Sequence, residues 1–312
     1  MQNLAVITTC TNRKCATPSR QLSALSLPKG AITDLAREWC RRIRSAESQI
    51  PAGDLYMGRA FSEARGLADE VGGRLFILSA GLGFISEDAI VPSYSLTVSK
   101  TSEDSIQARC NDGSFSPEMW WKLLNLEFGA QYPIRKLISA NPRGLWLFAL
   151  SKSYLELVVS DLDQLSDRQL ERVRIVGPQV NRGTHRILDA CLLEVDSRLN
   201  GPDSPIVGTQ GDFAQRAARY AYEEVIKGNP GGDIKAHRRA MSRRVSGWRL
   251  PKKYKRQPMS DESIMRKISS LWKAAEGRSG RMLRLLRDQE QIACEQGRFK
   301  SLFKQVQMSV IS

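Results

Sequence analysis

Four short apolar runs, separated by amphipathic helical text, constrain this 312-residue chain more than any other feature. They are "LAVITTC" (4–10), "RLFILSA" (74–80), "GLWLFALS" (144–151) and a fourth, interrupted by arginine, that ends "DRQLERVRIVG" at Gly177. Continuous runs of this length, ending in small or polar residues, are typical of strands covered on both faces. Between them, "AITDLAREWCRRIRSAESQ" puts Ile32, Leu35, Trp39 and Ile43 on one helical face, and "SEARGLADEVG" is a helix closed by Gly72-Gly73. "PEMWWKLLNLEFG", "YPIRKLISA" and the start of "DRQLERVRIVG" also read as helical. Strands alternating with helices predict an α/β fold, an open and mostly parallel sheet with helices on both faces.

That architecture directs attention to one edge. In open α/β sheets, ligands bind outside the carboxyl ends of the strands, where the strand order reverses. Four polar exits converge there: Thr9–Lys14, Ser79–Gly83, Ser151–Tyr154 and Gly177-Pro178-Gln179. Cys10, Thr11, Lys14, Ser79, Gly81, Ser151 and Tyr154 are therefore expected to line a ligand, the small residues of 79–83 letting backbone approach it. Tyr56, Arg59, Glu87, Asp88 and Tyr94 are placed at the same edge. Asp88 or Glu87 would activate water or stabilise positive charge on a sugar, the tyrosines would stack on a base, and Asn12 would position water or read a base edge. The plainer alternative makes Glu87 and Asp88 exposed loop acids capping a helix. No phosphate loop of the GxxxxGK[ST] type is present, so nucleoside triphosphate hydrolysis has no motif here.

Metal chemistry has little to work with. The six cysteines form no CxxC pair and there are only two histidines, His185 and His237, so neither a metal site nor a cofactor is expected. No apolar run is long enough to cross a bilayer, and the basic residues of "MQNLAVITTCTNRK" follow its apolar part, the wrong order for a secretory signal. A cytoplasmic protein is the expectation.

Charge divides the chain. The net charge is +14, and residues 235–312 hold 20 Lys+Arg against 6 Asp+Glu, whereas the preceding 234 residues are balanced. One-signed excess of this kind suits a phosphate-facing surface, so duplex DNA is the expected partner, with no membrane. Three segments follow: an α/β domain over 1–182, a helical extension and linker over 183–234 ending in "KGNPGGD", and a basic DNA-binding domain over 235–312. The last begins with a structure-poor stretch carrying Arg243, Arg244, Lys252, Lys253, Lys255 and Arg256. Three helices follow, the first capped by Ser260, and their order resembles a helix-turn-helix. In that arrangement Gln296, Arg298 and Lys300 line the outer face of the last helix while Phe299, Leu302 and Phe303 pack inward.

A family resemblance rests on an ordered set of short motifs over roughly residues 4–100. The Cys10 turn, Leu55-Tyr56 with Gly58 and Phe61, Leu78-Ser79-Ala80, and Pro92/Tyr94/Leu96/Thr97 are similar to those of a bacterial family related to the uracil-DNA-glycosylase-like fold. That family reads Cys-Gly-Lys-x-Lys, Leu-Tyr-x-Gly-x-Phe-x-Lys-Ala, Leu-Ser-Ala-Lys-Tyr-Gly-Leu and Pro-Tyr-Asp-Leu-Thr. Here Thr11-Asn12-Arg13-Lys14 replaces Gly-Lys-x-Lys, and Gly81-Leu82-Gly83 replaces Lys-Tyr-Gly. With its basic tail the chain resembles the antiviral DNA glycosylases of prokaryotes. The resemblance implies excision of a hypermodified cytosine, such as glucosylated hydroxymethylcytosine, from phage DNA, leaving an abasic site. The alternatives are a non-catalytic DNA-binding protein and a base-exchanging transglycosylase on DNA or RNA.

Overall fold

The four apolar runs form strands of one sheet. In the computed structural model, which describes residues 4–100, 102–177, 185–252 and 255–311, that sheet has six strands. They are β1 (Leu4–Thr9), β2 (Arg74–Ser79), β3 (Gly83–Ser86), β4 (Leu145–Ala149), β5 (Val173–Gly177) and β6 (Leu192–Glu194). Their order is β3-β2-β1-β4-β5-β6, so the strand order reverses between β1 and β4. All neighbours are parallel except β2 and β3, an antiparallel pair in which Ser79 faces Gly83 and Phe76 faces Ser86.

Two of these strands were not expected. β3 is a four-residue, half-buried edge piece too short to stand out in the text. β6 lies inside "HRILDACLLEVDSRL", in the stretch expected as a helical extension; the helix stops at Cys191 and the next three residues pair with β5. Pro178 and Gln179, the fourth expected exit, lie outside the described residues.

Leu4 to Thr8 of β1 are all buried, as a strand covered on both faces must be. Helix α1 (Ile32–Arg44), α3 (Pro117–Glu127) and α5 (Lys152–Leu162) pack side by side in one layer, with α4 (Pro133–Ala140) against α5. Helix α2 (Arg59–Glu70) lies over β1 and β2, and α6 (Phe213–Ala221) over β4 and β5; the two pack against each other. Gln215 of α6 donates from Nε2 to the buried Thr8 Oγ1 at 3.2 Å. Within 183–234, therefore, both a strand and a covering helix belong to the sheet's own layers.

The chain divides into two compact units, Met1–Pro251 and Lys252–Ser312. The first thus takes in residues 235–251, expected as the structure-poor start of the basic tail. They form helix α7 (Ile234–Val245), capped by Asp233, whose carboxylate accepts from Ala236 N at 2.6 Å. His237, Met241 and Val245 recur every four residues and bury one face; Lys235, Arg239 and Arg243 recur at the same interval on the exposed face. Arginine density hides this periodicity in the text.

The second unit has its own core. Helices α8 (Asp261–Ser270), α9 (Ser279–Arg284, continued by a π turn to Gln289) and α10 (Gln296–Ile311) bury Ile264, Ile268, Met282, Leu286, Phe299, Leu302 and Phe303 together. Ser260 caps α8 as expected, accepting from Ser263 N at 3.3 Å.

Candidate functional site at the carboxyl edge

The exits of β2, β1 and β4 lie side by side, and their side chains interlock. The chain leaves β1 at Cys10, whose backbone N–H still pairs with Leu78 O at 2.9 Å. The turn that follows is stitched to residues 55–57: Cys15 N to Leu55 O at 3.0 Å, Met57 N to Arg13 O at 2.9 Å, and Thr11 Oγ1 to Met57 O at 2.9 Å. This brings Tyr56 beside Lys14. Tyr56 OH reaches Ser79 Oγ (3.2 Å) and Tyr94 OH (3.1 Å), and Ser79 Oγ lies 2.7 Å from Tyr94 OH, closing a ring of three hydroxyls. Cys10 Sγ shares a 2.8 Å hydrogen bond with Tyr154 OH from the first turn of α5.

Burial sets the electrostatics. It raises the pKa of the Tyr56, Tyr94 and Tyr154 phenols, so all three stay protonated at neutral pH. Lys14 Nζ sits 4.3 Å from the centroid of Tyr94, where the ring face favours a cation, and donates to Thr11 O at 3.2 Å. Burial nonetheless holds the Lys14 ammonium below its usual pKa, with Cys10 and the carboxylate of Asp104 opposing it.

The turn after β2 does not leave room for a ligand. Trp120 Nε1 donates to Ala80 O at 2.8 Å, Trp39 Nε1 to Gly81 O at 2.7 Å, and Leu82 N to Ser79 Oγ at 2.9 Å. The space beside Gly81 is filled by Tyr94: an added Cβ would lie 2.5 Å from the ring. Tyr56 and Tyr94 are only 3% and 1% exposed, so neither offers a face on which a base can stack. The small residues serve internal packing.

Glu87 and Asp88 are not at this edge. Because β3 runs back along β2, Glu87 lies level with Leu75, whose N–H bonds Glu87 Oε1 at 3.2 Å and whose carbonyl accepts from Glu87 N at 3.1 Å. Four residues of strand, about 13 Å, separate that level from Ser79. Arg59 is also otherwise engaged, its Nε lying 3.0 Å from Asp212 Oδ2. The carboxylate that acts on Lys14 is that of Asp104, fixed by Ser23 Oγ at 3.3 Å and Ser95 Oγ at 2.5 Å. Its text, "TSEDS", gives no signal; the pairings of Ser23 with Ser95 and of Thr97 with Ser105 bring it in.

What remains open is the turn at Asn12-Arg13, both exposed. It adjoins the N-termini of α2 and α5, neither of which has a side-chain cap; Ser151 Oγ bonds Ser153 Oγ instead, at 3.1 Å. A groove of about 820 Å³ is lined by Ala16, Thr17, Arg20, Gln21, Arg42 and Ser93 among others, and by neither Asn12 nor Arg13. Among the described residues no group of three His, Cys, Asp or Glu side chains could hold a metal ion, and no helix is long and apolar enough to cross a membrane.

The expected DNA-contacting residues fall in both units. Arg243 is exposed on α7, and Arg244 pairs with Glu224. Lys252 and Lys255 are exposed, Arg256 pairs with Asp288 at 3.1 Å, and Lys253 lies outside the described residues. On α10, Gln296 and Lys300 face solvent while Phe299, Leu302 and Phe303 are buried, as expected; Arg298 is tied to Asp261.

A family model described as a family of unknown function (DUF6884) matches residues 41–112, a span that contains Tyr56, Ser79, Gly81, Tyr94 and Asp104 but not Cys10, Asn12, Lys14 or Tyr154. No curated protein and no solved structure matches the chain.

Proposed function

We propose that the chain is a cytoplasmic DNA N-glycosylase that removes a modified base from phage DNA, such as glucosylated hydroxymethylcytosine, and leaves an abasic site. The observation that carries this reading is the open Asn12-Arg13 turn at the strand-order reversal, flanked by two uncapped helix N-termini. Backbone amides at helix N-termini suit phosphates, and an exposed asparagine suits a base edge. Breaking an N-glycosidic bond develops positive charge on the sugar. Asp104 is the carboxylate to stabilise it, with Asn12 positioning water or base. Duplex affinity comes from Lys235, Arg239 and Arg243 on α7 and from the basic second unit.

One observation favours a second reading, a DNA-binding protein without catalysis: the hydroxyl ring of Tyr56, Ser79 and Tyr94 is sealed. Incubation with unmodified, hydroxymethylated and glucosylated phage DNA, followed by alkali, separates the two. Strand breaks confined to a modified substrate support the glycosylase. Tight binding with no alkali-labile sites supports the second reading, and a new base without abasic sites points to transglycosylation.

A further inference from the structure

The exposed face of α9 and the residue that precedes it carry three arginines at three-residue intervals, and we infer that α9, not α10, is the helix the second unit lays into the major groove of duplex DNA. The inference rests on reading this unit as DNA-facing, and it names the surface. Helix α8 and the short turn Trp272–Ala275 that follows it end at Glu276 and Gly277, both left-handed with φ of 53° and 64°. The chain reverses there and restarts at Ser279. A helix, a tight turn containing glycine and a second helix form the arrangement in which the second helix enters the groove.

The side chains of α9 divide accordingly. Met282 and Leu286 are fully buried, whereas Arg278, Arg281 and Arg284 are exposed beside Leu285 and Asp288 around a shallow groove of about 550 Å³. From Arg278 to Arg284 the helix rises about 9 Å, close to three base-pair steps. Guanidinium forks present paired donors in a fixed plane that matches a guanine edge or a phosphate, whereas lysine brings a compact point charge on a flexible stem. One carboxylate competes for them: Glu276 pairs with Arg281 and lies 3.6 Å from Arg278. On α10 the corresponding fork is already committed, since Arg298 Nη2 bonds Met259 O at 2.7 Å and its guanidinium pairs with Asp261. That leaves Lys300 and Lys304, two point charges, exposed there.

The test uses the full chain and one duplex across a salt series. R281A/R284A, exposed helix positions where alanine keeps the fold, is expected to weaken binding at least tenfold. It should also flatten the log–log salt slope by about 0.9 for each phosphate that is no longer neutralised. K300A/K304A is expected to stay within twofold of wild type. Equal weakening in both variants, weakening confined to K300A/K304A, or none in either overturns the assignment to α9 while wild-type binding preserves the DNA reading. A wild-type chain that does not bind duplex overturns both.

Discussion

Gly81 and Tyr94 are packed so closely that a single methyl group on the glycine would lie 2.5 Å from Cε2 of the ring. The ring is held on its far side by hydroxyl bonds to Tyr56 and Ser79 and edge-on by Trp39, with centroids 6.2 Å apart, so it cannot swing away. Gly81→Ala should therefore cost about 1–3 kcal/mol, as overpacking of a filled core does. Urea unfolding checks this. Combining it with Tyr94→Ala, which empties the space, should restore part of the loss, a coupling that independent sites would not show.

Asp88 is exposed at the opposite end of β2 from the open turn, next to a Glu87 that bonds the strand backbone. Under the glycosylase reading, Asp88→Ala should keep full base release. Asn12→Ala and Asp104→Asn should each lower it by two or more powers of ten with duplex affinity retained. Counting alkali-labile sites on the modified substrate, beside a binding curve, measures both. Full activity in Asp104→Asn would remove that carboxylate from the mechanism.

Asp161 should make stability pH-dependent. Its carboxylate sits at the start of α4, accepting from Ile134 N at 3.2 Å and Arg135 N at 3.4 Å, and burial pushes its pKa up to about 6. The unfolded chain ionises it at about 3.9. Between these values the folded state holds a proton that the unfolded state has released. This contribution to stability is full below about pH 4, falls as pH rises and is gone above about pH 6, a change of about 2–3 kcal/mol. Asp161→Asn keeps an acceptor and should abolish that slope. Urea midpoints of wild type and variant at about pH 3.5 and about pH 7, either side of the window, compare the two directly.

The boundary at Pro251 is a prediction about folding. Residues 1–251 should melt cooperatively, close to the full chain. Ending at residue 234 removes the buried His237, Met241 and Val245 and the Arg174 Nε–His237 Nδ1 hydrogen bond of 2.9 Å, so that fragment should be several kcal/mol less stable. Differential scanning calorimetry of both fragments decides it. Equal melting would mean that α7 contributes little to the first unit.

How much the sequence discloses follows from what each signal measures. Strand runs such as Leu75–Leu78 and helical faces such as Ile32/Leu35/Trp39/Ile43 record burial directly, and they are legible. Cys10, Tyr56, Ser79, Tyr94 and Tyr154 can be placed at one edge because strand exits must gather there. The position of Glu87 is not legible: it turns on whether the chain continues outward after Gly83 or folds back, and the four residues of β3, three of them half-buried, decide that. Nor does a run of small residues say whether the room it makes is for a ligand or for the chain's own tyrosine. α7 stays hidden because its apolar stripe is only three residues among charged and polar neighbours.

The central place of β1 has a consequence for how the chain is made. The earliest-synthesised strand of the sheet is an interior one, and its two partners, β2 and β4, emerge about 70 and 140 residues later. Gln215, which satisfies the buried Thr8 hydroxyl, comes 207 residues after it. Val6 and Ile7, fully buried in the end, must wait uncovered through much of translation, since non-local pairings are slow to close. Elongation rate and chaperone capture during synthesis, more than the equilibrium stability of the finished protein, should govern how much of this chain reaches its native state.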